Sequence, residues 1–183
     1  MGLAARSLSE APLDDATLVE RVIHGDEAAF SAIYRRHAAH VAGVVYRLLG
    51  NDEHLDDIVQ ETFVIGLRSL DRLREPGALR RWLTTIAVRR VQRCLAMRYK
   101  SRALRAELGA VAPRTSEPDD SEEVHALYRA LAQLPDKLRI PWMLHHIEGE
   151  TLPMVAEMCE TSLTSVKRHI AAASERLRRL SHA

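Results

Sequence analysis

The chain has 183 residues, 26 Lys+Arg against 25 Asp+Glu for a formal charge of +1, and 46% hydrophobic but only 4% aromatic residues. That length fits one medium domain or two small ones, and a core of Leu, Ala, Val and Ile with few aromatics favours helix. No apolar run approaches the ~18 residues that span a bilayer, Met1 to Asp15 carries no leader of basic then apolar residues, and two distant cysteines, Cys94 and Cys159, exclude a disulfide framework or a four-cysteine zinc site, so a soluble protein of a reducing cytoplasm is expected.

In chain order, apolar residues at helical spacing predict helices over Leu13–His24, Glu27–Leu49, Glu53–Leu73 and Ala78–Arg98, punctuated at His24-Gly25-Asp26, Gly50-Asn51-Asp52 and Glu75-Pro76-Gly77. These four make one bundle. Gly109 to Ser121 (GAVAPRTSEPDDS) has two prolines, small residues and acids without periodicity, and reads as a flexible linker. Beyond it, Glu122–Leu134, Asp136–Glu148, Leu152–Cys159 and Leu163–Leu180 predict four more helices. The fold class is therefore all-α: an N-terminal helical bundle and a C-terminal helix-turn-helix domain, over 14–100 and 124–181, joined by an acidic segment at 101–123.

Charge is segregated along the chain. Arg68 to Arg105 holds twelve basic residues against Asp71 and Glu75, Asn51 to Glu61 holds five acids and no Lys or Arg, and Glu107 to Glu123 holds six acids against Arg114. Screening limits each field to roughly 8 Å at physiological salt, so such blocks address different partners.

In the third helix Leu55, Ile58, Val59, Thr62, Phe63, Gly66, Leu67, Leu70 and Leu73 share the core face. Asp57, Gln60, Glu61 and Val64 lie opposite, a mixed acidic and apolar patch suited to docking on a basic helical surface. A convex face without a pocket is a poor setting for acid–base catalysis by the same carboxylates. In the fourth helix Leu79, Trp82, Leu83, Ile86, Ala87 and Cys94 face inward, and Arg81, Thr85, Arg89 and Gln92 recur on the far side, where guanidinium groups can fork onto phosphates. Leu73-Arg74-Glu75-Pro76-Gly77 forms a short loop at the mouth of that helix. Such a loop can hold an extruded base, although its composition alone does not require it.

Near the C-terminus Thr151 caps a short helix that tolerates Pro153 in its first turn, with Leu152, Val155, Ala156 and Cys159 inward. Glu160-Thr161-Ser162 makes the turn. Ser162 caps the next helix, whose seam is Val166, Ile170, Ala173, Leu177 and Leu180, leaving Thr164, Lys167, Arg168, Ala171 and Ala172 outside as a recognition helix presents its base-reading side chains.

Taken together, these motifs resemble the extracytoplasmic-function (ECF) group of bacterial RNA polymerase sigma factors, in the sigma-70 family, over roughly residues 14 to 181. The resemblance is carried by Gly25-Asp26-Glu27-Ala28-Ala29-Phe30 running into Tyr34-Arg35-Arg36-His37, by Asp57-Ile58-Val59-Gln60-Glu61-Thr62-Phe63, and by Trp82-Leu83-Thr84-Thr85-Ile86-Ala87. Leu134-Pro135, Glu148-Gly149 and Ser165-Val166-Lys167 follow in order. It implies a non-enzymatic transcription initiation factor without metal or cofactor. It further implies that Asp57, Gln60, Glu61 and Val64 meet the clamp helices of the polymerase largest subunit, and that the C-terminal domain meets the flap region. Leu73, Arg74, Arg81, Trp82, Thr85 and Arg89 would capture and grip the −10 element, and Thr164, Ser165, Lys167 and Arg168 would read the −35 element of promoter DNA. An anti-sigma factor is an expected partner, and the acidic linker fits a path through the positively charged polymerase interior.

Several positions depart from the family pattern. Many relatives have Arg at the Thr85 position and Asn at the Arg89 position, which implies a different −10 preference. Glu160 replaces a frequent Gly, a costly exchange if that residue needs positive φ. Ala171, Ala172 and Ser174 stand where basic or polar residues are common, implying fewer phosphate contacts. The competing class is a polymerase-independent helix-turn-helix regulator, but no seam is long enough for its dimer helix. His145-His146, His37 and His40 complete no metal motif.

Overall fold

The computed structural model describes residues 13–106 and 122–181. Within them eight α-helices occur: α1 (Asp15–Ile23), α2 (Glu27–Leu49), α3 (Leu55–Arg68), α4 (Leu79–Ala106), α5 (Glu122–Ala132), α6 (Asp136–His146), α7 (Leu152–Met158) and α8 (Leu163–Ser181). Single 3₁₀ turns at Leu70–Arg72 and Pro76–Ala78 join α3 to α4. No strand occurs among the described residues.

The punctuation residues set the helix ends. Asp14 opens α1 by accepting the Thr17 N–H at 2.8 Å, and Asp26 opens α2 by accepting the Ala29 N–H at 3.0 Å while holding Arg21 at 2.8 Å. These hydrogen bonds, backbone first, lower both carboxyl pKa values. Gly50 closes α2 in the left-handed region at φ 75°, its N–H returning to Tyr46 O, a conformation that costs other residues more than glycine.

The third and fourth helices differ from the sequence expectation at their ends. α3 stops at Arg68 rather than Leu73, because the Ser69 hydroxyl bonds Ile65 O at 2.6 Å and the chain tightens into a 3₁₀ turn. Leu70 is buried and Leu73 packs against the core from outside the helix, so apolar spacing alone continued the pattern. α4 runs past Arg98 to Ala106, through a stretch rich in Ala, Arg, Leu and Lys, residues of high helix propensity, with no Gly or Pro to break it. It thereby takes in 101–106, which the sequence reading gave to the joining segment, while α5 begins at Glu122, where the apolar spacing predicts a helix to start; residues 107–121 lie outside the described residues.

α2, α3 and α4 pack on one another, with α1 against α2 and both 3₁₀ turns. Val41, Val44, Val45, Leu48, Val88 and Val91 are fully buried at the centre. α6, α7 and α5 pack on α8 around Leu131, Leu144, Val155, Met158, Val166 and Ala173. Trp142 Nε1–H donates to Ser174 Oγ at 3.0 Å, tying α6 to α8. The two bundles also touch each other, α4 against α7.

Candidate functional site

Asp57, Gln60, Glu61 and Val64 all lie on the outer face of α3. Asp57 is free of any strong partner, its carboxylate 3.9 Å from His54 Nδ1 and 79% exposed. Glu61 is not: Arg90 of α4 reaches it with Nε at 2.7 Å and a second, shorter contact from Nη2. Arg98 likewise pairs with Glu53 at 2.7 Å. The acidic and basic blocks separate in sequence thus partly neutralise each other in space, because α3 and α4 pack side by side.

Leu67, assigned to the core from spacing, is 44% exposed, and with Val64 at 40% it extends the patch by one turn. Tyr34 of α2 is also exposed and rests on Phe63 with ring centroids 4.7 Å apart. The series 57, 60, 64, 67 has helical spacing and was the available sign for Leu67. Close approach of α3 to α4 is set by Gly66, where an added Cβ would meet Leu83 Cδ2 at 3.0 Å and Trp82 Cζ3 at 3.6 Å.

On the loop before α4, Arg74 and Glu75 are exposed and Leu73 is half-buried, with α1 packed behind the flanking turns. Arg81 is exposed and Trp82 half-buried against the core. Thr85 departs from the expected outward stripe: it is 7% exposed, and its hydroxyl donates to Arg81 O at 3.0 Å. One turn on, Arg89 donates to Glu157 O at 3.2 Å and lies 3.3 Å from the Glu160 carboxylate, both at the end of α7. Gln92 hydrogen-bonds Cys159, whose thiol burial pushes up to about 11. The far half of the α4 polar stripe, Arg89 and Gln92, is thus engaged by the end of α7 and the turn after it, whereas Arg81 stays exposed and Arg89 is 42% exposed even so. α4 must bury several sides at once, against α2, α3 and α7, which a single wheel does not anticipate.

In the helix-turn-helix, Thr151 caps α7 by accepting the Met154 N–H at 3.4 Å, and Ser162 Oγ accepts the Ser165 N–H at 3.1 Å to start α8. Thr164, Lys167, Arg168 and Ala171 are exposed. Ser165 is half-buried, and its hydroxyl accepts from Ser162 Oγ at 2.9 Å, so it serves the cap. Glu160 in the turn has φ 50°, the left-handed conformation that a glycine would adopt with less strain.

Among the described residues no cluster of three or more His, Cys, Asp or Glu is placed to hold a metal ion, and no helix is long and apolar enough to cross a membrane. The His145 and His146 rings meet edge-on at 4.9 Å, but His145 Nδ1–H is used on Glu150 O at 2.8 Å.

Comparison with known proteins follows the same division. The Sigma-70 region 2 family description matches residues 33–103, and Sigma-70, region 4 matches 125–177. The ECF RNA polymerase sigma-E factor of Salmonella typhimurium is 30% identical over 176 residues, covering 89% of this chain and 92% of that protein. Its counterpart in Escherichia coli K12 matches to the same extent, and that of Haemophilus influenzae at 27%. Among solved structures, CnrH in complex with the cytosolic domain of CnrY is 24% identical with a TM-score of 0.63, covering 92% of this chain and 97% of that one. The sigma factor RpoE from Bartonella quintana, in complex with the anti-sigma factor NepR, is 20% identical with a TM-score of 0.68, covering 84% and 97%.

Proposed function

Because the chain belongs to the extracytoplasmic-function group of the sigma-70 family, we infer that it binds core RNA polymerase and directs it to promoters, initiating transcription without catalysing a reaction itself. Matches to both sigma-70 regions, in order along one chain, favour this over a stand-alone helix-turn-helix regulator. The observation that carries the docking assignment is the exposed α3 stripe of Asp57, Gln60, Val64 and Leu67. A carboxylate at one end and two apolar side chains at the other suit a helical partner that offers a cation beside an apolar ridge. That partner is proposed to be the clamp helices of the polymerase, with Glu61 contributing through whatever part of its charge Arg90 leaves free.

The −10 element is assigned to Leu73, Arg74, Arg81, Trp82, Thr85 and Arg89. Of these, Arg74 and Arg81 are exposed, Arg89 is exposed while also donating to Glu157 O, and Thr85 is buried with its hydroxyl on Arg81 O. The −35 element is assigned to Thr164, Lys167 and Arg168, with Ser165 in a capping role beside them. The C-terminal bundle is further proposed to meet the polymerase flap, and an anti-sigma factor to hold the chain inactive. Its place of action is that of the polymerase, the cytoplasm.

Asp57→Lys is the cleanest test, since Glu61 is already ion-paired and its reversal would also set two cations together. Gel filtration with purified bacterial core polymerase should show co-elution of the wild-type chain and its loss in Asp57→Lys, with helicity by circular dichroism unchanged. Undiminished co-elution of the variant would remove α3 from the interface.

A further inference from the structure

The cations of α8 stand together near its start. Lys167 and Arg168 are exposed, His169 beside them is half-buried, and no acid occurs in the helix before Glu175, whose carboxylate is held by Arg178 and Arg179. From Ile170 to Ser174 the helix offers little to a phosphate. Ile170 and Ala173 lie on its core side, Ala171 and Ala172 carry no donor, and the Ser174 hydroxyl already accepts from Trp142 Nε1–H at 3.0 Å. A helix seated in a groove nonetheless depends on contacts to the DNA backbone, which make up roughly half or more of protein–DNA hydrogen bonds and fix its register.

The neighbouring helix α6 brings a further cation to this place. The Trp142–Ser174 hydrogen bond sets α6 against α8, and five residues back along each helix, roughly 7.5 Å on its axis, Lys137 stands by His169. Lys137 is exposed in the first turn of α6, and its neighbour Asp136 is spent on Arg139 at 2.8 Å. Among the described residues neither Lys137 nor Arg168 has a hydrogen bond or an ion pair. Burial first, then the charges of Arg168 and Lys137, hold the His169 ring below its ordinary pKa, and no carboxylate among the described residues pulls it the other way. Two cations thus flank one half-buried ring without a counter-charge, an arrangement that an incoming anion stabilises.

We propose that Lys137 is a DNA-backbone contact, forming with Arg168 a two-cation seat beside His169 for a phosphate of the strand that borders the groove α8 enters. The proposal rests on the assignment of α8 to the −35 major groove. Lysine meets phosphate as a point charge, and a phosphate contact carries no sequence information. The seat therefore sets where α8 lies, while base preference stays with Thr164 and Lys167 on the outer face.

The test uses the full chain. Binding of a fluorescein-labelled duplex of fixed sequence, followed by anisotropy over a salt series, should lose about 0.9 from the slope of log K against log salt in Lys137→Ala, the share of one phosphate contact on duplex DNA. Lys137→Arg should keep the slope. Arg35→Ala, which removes an exposed cation of α2, should keep it as well and so separates a contact from net charge. Selection from a random-sequence duplex pool by the chain bound to core polymerase should return one preference for the wild type and Lys137→Ala, and a changed one for Lys167→Ala. An unchanged slope in Lys137→Ala, an equal fall in Arg35→Ala, or a changed preference in Lys137→Ala would each overturn the seat. A preference that survives Lys167→Ala while the Lys137→Ala slope still falls would remove α8 from the groove and leave Lys137 a backbone contact.

Discussion

Gly66 shows how tightly one position can be held by its neighbours. Alanine there would gain about 1 kcal/mol in helix propensity, yet its Cβ would sit 3.0 Å from Leu83 Cδ2, a side chain that is 2% exposed and has nowhere to move. Overpacking of this kind costs ~1–3 kcal/mol. Gly66→Ala is therefore expected to lower the urea midpoint and to shift the tryptophan emission reporting on Trp82; an unchanged midpoint would mean that α3 and α4 can part. His40 makes a second residue-scale prediction. Its Nδ1 accepts from Arg80 at 3.0 Å and its Nε2–H donates to Thr84 Oγ1 at 3.1 Å, an arrangement only the neutral ring can make. Burial first, and Arg80 second, lower its pKa below 6.5. Above 6.5 neither folded nor unfolded chain carries the proton; as pH falls below it, the unfolded chain takes up the proton first and stability declines until the lowered folded value is passed. His40→Gln should flatten that decline in chemical denaturation series, although His146 and His169, shifted the same way, will leave a residual slope.

At the scale of elements, the recognition helix depends on its first turn. Ser162 supplies the only side-chain cap described there, and Ser162→Ala should cost about 1 kcal/mol and raise amide exchange over the start of α8. Lys167→Ala with Arg168→Ala is expected to reduce promoter-specific initiation in a reconstituted assay without loss of core binding, since both side chains are exposed and far in sequence from α3. The eight helices were legible in the sequence because capping residues and apolar spacing are local: Asp26, Gly50, Thr151 and Ser162 act within a few residues of themselves. The end of α3 was not, because Leu70 and Leu73 reach the same core from a 3₁₀ turn as they would from a helix. Of the candidate site, the α3 patch and the outer face of α8 could be read directly. Thr85 and Arg89 could be placed on one stripe, but the engagement of Arg89 by Glu157 O spans 68 residues, which no local pattern encodes.

For the whole molecule, the contact between bundles predicts how it unfolds. If Arg139, which donates to Leu48 O at 3.2 Å, and Arg47, which holds Glu148 at 2.6 Å, couple the halves, the wild type should melt in one calorimetric transition, and Arg139→Met combined with Glu148→Gln should split it into two. Met suits the site, because a buried arginine is often replaced by an apolar side chain at little cost. A single transition in the double variant would show that apolar packing between α4 and α7 suffices. The contact also has a time dimension. Arg139 Nε is the one buried side-chain donor among the described residues without a hydrogen-bond partner, and a buried donor left unmet weakens the bound state by ~1–3 kcal/mol. Weakness of that kind shortens residence more than it slows encounter. The contact between the bundles is thus suited to brief, repeated visits rather than to a permanent union.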